Sequence, residues 1–218
     1  MSAIYAFSSA ARLAWLTESP PRTMSAVSAD LALTTAAKAG DSTAFGSLIA
    51  AHKSRVFGLA AKYARNHHEL EDLAQDVFIK AWKGLGGYRG DAPFEHWLMR
   101  VAVRACFDFL RRNRSRREHE VSRDALLEAG YLPAEGAQET VETGENQALL
   151  EVRRAMAMLS PKEQHVLTLL ELEDRTVREV AVLTGWSEAN VKVRGFRARQ
   201  ALRKCIERLR QSNPPVWP

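Results

Sequence analysis

The sequence predicts an all-α fold of two small helical domains joined by an acidic linker, the carboxy-terminal one carrying a helix-turn-helix. Three observations carry that expectation. Apolar residues recur at helical spacing through successive stretches of the chain. Between Thr176 and Ser187 the turn chemistry is that of a short helix meeting the next helix at a glycine. Around His119 the charge reverses, so that an acidic segment separates two basic modules.

The chain has 218 residues, enough for one or two ordinary domains. Its 31 Lys and Arg against 26 Asp and Glu leave a formal net charge of +5. That balance favours an anionic partner, and the useful fact is where each sign clusters. Cys106 and Cys205 fall inside candidate helices without CxxC spacing, which supports neither a disulfide framework nor a zinc motif and points to a reducing, cytoplasmic setting. No stretch approaches the roughly 20 apolar residues that span a bilayer, so no membrane insertion is expected.

Residues 1–28 begin with AIYAFSSAARLAWL and continue through Pro20 and Pro21. A basic leader region is missing and Arg12 interrupts the apolar run, so the segment reads as a poorly ordered extension and not as a signal peptide. Met24, just past the prolines, is an alternative start to Met1.

The first helical domain is expected over residues 29–117. From Ser28 to Arg65 the chain is Ala-rich, broken at Gly40 and Asp41, with Asp41 or Ser42 as a cap. The next helix, Glu69 to Lys83, places Leu70, Leu73, Ala74, Val77, Phe78 and Ala81 on one broad face. Opposite them lie Asp72, Gln75, Asp76 and Ile79. An apolar Ile79 inside that polar stripe favours a protein-binding surface over a merely solvated one.

The loop GLGGYRGDAP follows, containing Tyr88, Arg89 and Asp91. It lacks GxxxxGK[ST] and a preceding strand, so nucleotide binding is not expected, and no cofactor is implied. The helix from Phe94 to Arg112 buries Phe94, Leu98, Val101, Ala102, Ala105 and Phe109. On another side Arg100, Arg104, Phe107 and Arg111 recur at helical spacing, with Trp97 at the border. Guanidinium groups meet phosphates and aromatic rings stack on unstacked bases, so this face suits an opened nucleic acid.

The acidic linker is expected over residues 118–145, and a second helical domain over 146–211, followed by a tail, 212–218. In that domain one helix runs from Asn146 to Met158, and Ser160 caps another that has Pro161 at its first position. Thr176 with Glu179 forms a capping box for Val177 to Leu183; Gly185 takes the turn, and Ser187 caps the last helix. Along that helix Val191, Gly195, Ala198, Leu202, Ile206 and Leu209 form a core stripe. Lys192, Arg194, Arg197, Arg199 and Arg203 surround it, and Val193 and Phe196 point away from the core among the cations.

Taken in order, these motifs resemble those of the extracytoplasmic-function (ECF) group of bacterial sigma factors in the sigma-70 family. ELEDLAQDVFIKAWKGLGGYRGDAPFEHWLMRVAVRACFDFLRR is similar to the family's region two, and LSPKEQHVLTLLELEDRTVREVAVLTGWSEANVKVRGFRARQAL to its region four. The resemblance implies a non-enzymatic factor that binds core RNA polymerase through its β′ and β subunits, recognises minus-thirty-five and minus-ten promoter elements and supports promoter opening in a stress or envelope response.

By the same resemblance, Asp72, Gln75, Asp76, Phe78 and Ile79 would dock on polymerase. Tyr88, Arg89, Asp91, Phe94, Trp97, Arg100, Arg104, Phe107 and Arg111 would serve the minus-ten element. Ser187, Glu188, Ala189, Asn190, Lys192, Arg194, Phe196, Arg197 and Arg199 would read the minus-thirty-five element. An anti-sigma factor is the expected regulator. The chain departs from the family at Arg104, where many members carry Asn, and at Ala189 and Asn190, where Gly-Thr is common.

The rival reading is a dimeric helix-turn-helix repressor or activator, which would bind palindromic half-sites unaided. An enzyme has little support, since His67 and His68 lack HExxH spacing and His52, His96, His119 and His165 form no constellation with them.

Overall fold

The structure, a computed structural model, describes residues 24–127 and 147–212. The expected extension before Met24, the question of the start codon, most of the expected linker and the last tail residues lie outside the described residues. Eight α-helices are present among those described, with no strand. They are α1, Met24–Lys38; α2, Ser42–Ala60; α3, His67–Gly84; α4, Phe94–Leu127; α5, Gln147–Met158; α6, Pro161–Leu167; α7, Val177–Thr184; and α8, Glu188–Ser212. A short 3-10 turn, Leu85–Gly87, precedes the loop into α4, and a π-helical turn, Thr168–Leu172, continues α6. No helix among the described residues is long and apolar enough to cross a membrane.

Local chemistry sets the helix ends. Gly40 takes a φ of +101°, and the Asp41 carboxylate then accepts from the amides of Thr43 at 2.8 Å and Ala44 at 3.1 Å, opening α2. Asn66 accepts from the Glu69 amide at 2.9 Å, opening α3 two residues earlier than the apolar pattern alone indicates. Ser160 and Thr176 each close a full capping box, with Glu163 and Glu179 as the returning carboxylates. Hydrogen bonds from Thr176 hold the Glu179 carboxyl below its ordinary range. Helix α4 runs through Leu127, well past the charge reversal, because no Gly or Pro interrupts the chain between Phe94 and Gly130.

By contact the described residues divide into two units, one holding residues 24–52 together with Gly84–Trp97, the other Lys53–Lys83 and the described residues from Leu98 onward. In the first, Ala37, Ala44, Leu48, Leu85, Tyr88 and Phe94 are buried together with Asp30, Thr34 and His52. In the second, one set of buried side chains comprises Leu59, Leu73, Val77, Leu98, Val103 and Cys106. A further set comprises Ala155, Leu159, Val166, Leu167, Leu169, Val180, Val191 and Ala198. There α8 packs against α5, α6 and α7. Gly195 is buried in that packing: a Cβ added to it would stand 2.9 Å from Leu170 Cδ1.

The turn between α7 and α8 depends on Gly185, whose φ of +77° lets its amide return to the Ala181 carbonyl at 2.9 Å. Gly185→Ala should lower unfolding stability by about 1–2 kcal/mol, the cost of a left-handed alanine, whereas Gly185→Asn should lose less. Urea denaturation of the three proteins checks this; equal stability of the alanine variant would show that the turn tolerates a Cβ.

Candidate protein and nucleic-acid interfaces

Three surfaces carry the residues singled out from sequence. The first is the outward face of α3. Ile79 is 45% exposed and Trp82 41%, flanked by exposed Asp72 and Gln75. Asp76 and Phe78 sit lower, half-buried. Asp76 is tied to Arg112 at 3.0 Å and to Lys80 at 3.4 Å, and Phe78 lies against Phe57 with ring centroids 6.4 Å apart. Trp82, absent from the sequence-derived set, extends the apolar part of this face. At helical spacing from Gln75 and Ile79 it was recognisable, but its size suggests core.

The second surface is the loop from Tyr88 to Phe94. Its aromatic residues face inward: Tyr88 and Phe94 are buried, and Trp97 is half-buried. The three rings lie 5.5–5.9 Å apart by centroid, with Tyr88 edge-on to Phe94. The Tyr88 hydroxyl donates to the Ala92 carbonyl at 2.7 Å, and burial raises its pKa, so it stays a neutral donor. Gly90 adopts a φ of +83°, and Arg89 and Asp91 on either side of it are left exposed. On α4, Arg104 and Arg111 are exposed and Arg100 is half-buried.

Phe107 does not stand open beside those arginines. Its ring lies 5.0 Å from that of His165 and 6.2 Å, edge-on, from Trp186. His165, 1% exposed, shares a 3.0 Å hydrogen bond with the Tyr63 hydroxyl, and burial drives the Tyr63 pKa well up. Next to this cluster Lys62 donates to the Leu172 carbonyl at 2.6 Å and pairs with Glu173. No sequence pattern points to this cluster, because Tyr63 and His165 are 102 positions apart and neither belongs to a motif.

The third surface is α8. Phe196 is 60% exposed and Val193 49%, as their position off the core stripe implies, and Val182 of α7 is 61% exposed. Ser187 accepts from the Asn190 amide at 3.2 Å, so its hydroxyl serves as the helix cap. Asn190 accepts from Arg194, whose guanidinium also stacks 4.8 Å from the Trp186 ring. Arg199 forms an ion pair with Glu171 at 2.7 Å. Glu188, Ala189, Lys192 and Arg197 are exposed. This surface is a half-exposed basic helix whose cations are partly pre-oriented, with an apolar ridge between them. Such a surface suits a duplex backbone and groove.

Comparison with known proteins places these surfaces in context. Residues 48–116 match the family description Sigma-70 region 2, and residues 149–202 match Sigma-70, region 4. The chain is 31% identical over 175 residues to the ECF RNA polymerase sigma-E factor of Escherichia coli K12, covering 78% of this chain and 90% of that protein. It is 30% identical over 177 residues to the ECF RNA polymerase sigma factor SigM of Mycobacterium tuberculosis, covering 81% and 84%. The RNA polymerase sigma-H factor of Pseudomonas aeruginosa is 29% identical over 176 residues, covering 78% and 90%. Among solved structures, CnrH in complex with the cytosolic domain of CnrY is similar in fold, with a TM-score of 0.51 at 24% identity, covering 82% of this chain and 97% of that one.

Burial holds the His165 pKa down to about 4, whereas an unburied histidine titrates near about 6.5. Between these values the unfolded chain takes up a proton that the folded chain refuses, so stability falls as pH drops from about 6.5 toward about 4. Over the interval from about pH 6.5 to 5, this group should remove about 2 kcal/mol. Urea midpoints measured across that interval check it, and His165→Gln should flatten the dependence from a lower starting stability. An unchanged slope would assign the pH effect to other groups.

Proposed function

The chain belongs to the ECF group of the sigma-70 family, and we propose that it directs core RNA polymerase through the three surfaces just described. As a member it is an alternative sigma factor that serves promoter recognition, not a dimeric repressor. Its work is binding and positioning, with no catalytic step assigned to any residue, and its setting is the cytoplasm, where polymerase and promoter DNA are found.

In this reading α3 docks on polymerase through Asp72, Gln75, Asp76, Phe78 and Ile79. The observation that carries it is Ile79, held 45% exposed among polar neighbours on a helix whose other face is core. The loop of Tyr88, Arg89, Asp91 and Phe94, with Trp97 and the α4 arginines, takes the opened minus-ten strand. Phe107 joins them once its contact with His165 and Trp186 is given up. The α8 set, from Ser187 to Arg199, reads the minus-thirty-five duplex, with Phe196 against a thymine methyl or sugar.

In this reading the domains at 29–117 and 146–211 are joined by the remainder of α4, which continues to Leu127, and by the chain from there to Gln147. Two promoter elements some 25 base pairs apart are separated by roughly 85 Å at about 3.4 Å per pair. The chain between Leu127 and Gln147, fully extended, reaches at most roughly 70 Å. The two domain bodies supply the remainder, helix α8 alone being about 37 Å long, so the chain is long enough to reach both elements at once. An anti-sigma factor that covers the same surfaces would supply regulation in a stress or envelope response.

Transcription with purified core polymerase and a promoter library should yield promoter-specific products that depend on this chain. No specific transcript, together with no measurable core binding, would refute the assignment. Ile79→Glu should weaken core association at least about tenfold, the loss expected when a charge replaces a buried apolar contact. Because Ile79 is exposed in the free protein, its melting temperature should not move. Phe196→Ala should likewise spare stability and reduce minus-thirty-five duplex binding; loss of stability instead would return Phe196 to the core.

A further inference from the structure

Helix α1 ends before residue 48, where the region 2 match begins, yet it touches one end of the candidate minus-ten loop directly and the other through His52 of α2. At its carboxy end, the Lys38 ammonium donates to the Tyr88 carbonyl and lies 5.6 Å from the centroid of the Tyr88 ring. One amine thus holds the first residue of the loop by both backbone and side chain. Near the middle of α1, Asp30 approaches His52 with Oδ2 and Nε2 3.2 Å apart, both side chains buried. The His52 ring in turn lies 5.5 Å from Phe94, the last residue of the loop. Between these anchors stand only Arg89, Gly90, Asp91, Ala92 and Pro93.

We propose that α1 is a positioning element for the capture of the minus-ten strand, with Lys38 as the positioning residue that fixes the loop at Tyr88. The proposal rests on the reading of the Tyr88–Phe94 loop as the strand-capturing loop. Its physical basis is preorganisation. A loop of a few residues that must be ordered when the strand arrives loses affinity to that ordering, and one already held at both ends does not.

Gly90, at φ +83°, gives the loop a sharp turn, and the Tyr88 hydroxyl already fixes Ala92. What remains is the entry to the loop, and Lys38 holds it. A cation at this place is also favoured by the carboxy-terminal end of α1, whose last carbonyls carry partial negative charge. Lys38 is itself exposed, so its effect is on the loop and not on the core. A net contribution of about 0.5–1.5 kcal/mol for such a hydrogen bond corresponds to roughly two- to tenfold in affinity.

The test uses holoenzyme assembled from core polymerase and the full chain, with the fluorescently labelled single-stranded minus-ten segment of a promoter selected in the transcription assay. Lys38→Met keeps the aliphatic stem and removes the donor and charge; Lys38→Arg keeps both. The Lys38→Met holoenzyme should bind the strand about three- to tenfold more weakly, with core affinity and melting temperature unchanged, and Lys38→Arg should restore binding to within about twofold.

Parental affinity in Lys38→Met, or a loss shared with core affinity or melting temperature, would overturn the positioning role. Arg89→Ala and Asp91→Ala holoenzymes separate the two ways of failing. If both bind the strand normally, the loop reading itself falls and the positioning role with it. If either binds poorly while Lys38→Met is normal, only the role of Lys38 is refuted.

Discussion

The burial of Phe94 is the constraint on which the loop-bearing unit depends. Its ring occupies the start of α4, 1% exposed, in contact with the rings of His52, Tyr88 and Trp97. Removing such a side chain from water contributes about 1.5–3 kcal/mol, enough to fix where α4 begins. Once that end is fixed, Pro93 excludes a helical residue before it and Gly90 completes the turn. The consequence is a division of labour within seven residues. The aromatic side chains build the seat of the loop, and the short polar segment between them, with Arg89 and Asp91, meets the outside.

The carboxy-terminal helices reach a comparable result by local means. Two capping boxes and one left-handed glycine set the ends of α6 and α7 and the approach to α8, and Val191, Gly195 and Ala198 are small enough to lay α8 close against its neighbours. Phe196 and Val193 are then forced outward by helical geometry, because the stripe that faces the core is already filled. Their exposure follows from the packing of other residues.

That contrast explains what was legible in the sequence. The turn from Thr176 to Ser187 was readable because every determinant lies within a dozen residues and acts through the backbone. The exposed faces of α3 and α8 were readable because they are what remains after the core stripe is assigned. The pairs Asp30 with His52, Lys38 with Tyr88 and Tyr63 with His165 were not, since their members are separated by 22, 50 and 102 positions and meet only through tertiary packing. Phe107 illustrates the same limit. Its spacing grouped it with three arginines, and only the position of His165 and Trp186 shows that its ring has a partner within the chain. Helix α4 outruns the expected Phe94 to Arg112 for a different reason: a change in the sign of charge alters what a helix meets but does not end it.

The charged residues on these surfaces differ in how ready they are for a partner. On α3, Asp72 stands exposed with only the His68 ring 3.6 Å away, whereas Asp76 is held by Arg112 and Lys80. On α8, Lys192 and Arg197 are exposed, while Arg194 is committed to Asn190 and Trp186 and Arg199 to Glu171. Solvent-exposed ion pairs are worth about 0–1 kcal/mol each, so a phosphate or a carboxylate of a partner can displace the internal one at little cost. Until then the internal carboxylates hold the long side chains in a few conformations. They also lower the net positive field that would bind any duplex indiscriminately. Glu171 beside Arg199 thus tempers the charge that α8 presents without removing it, since so exposed a pair yields readily to a competing anion.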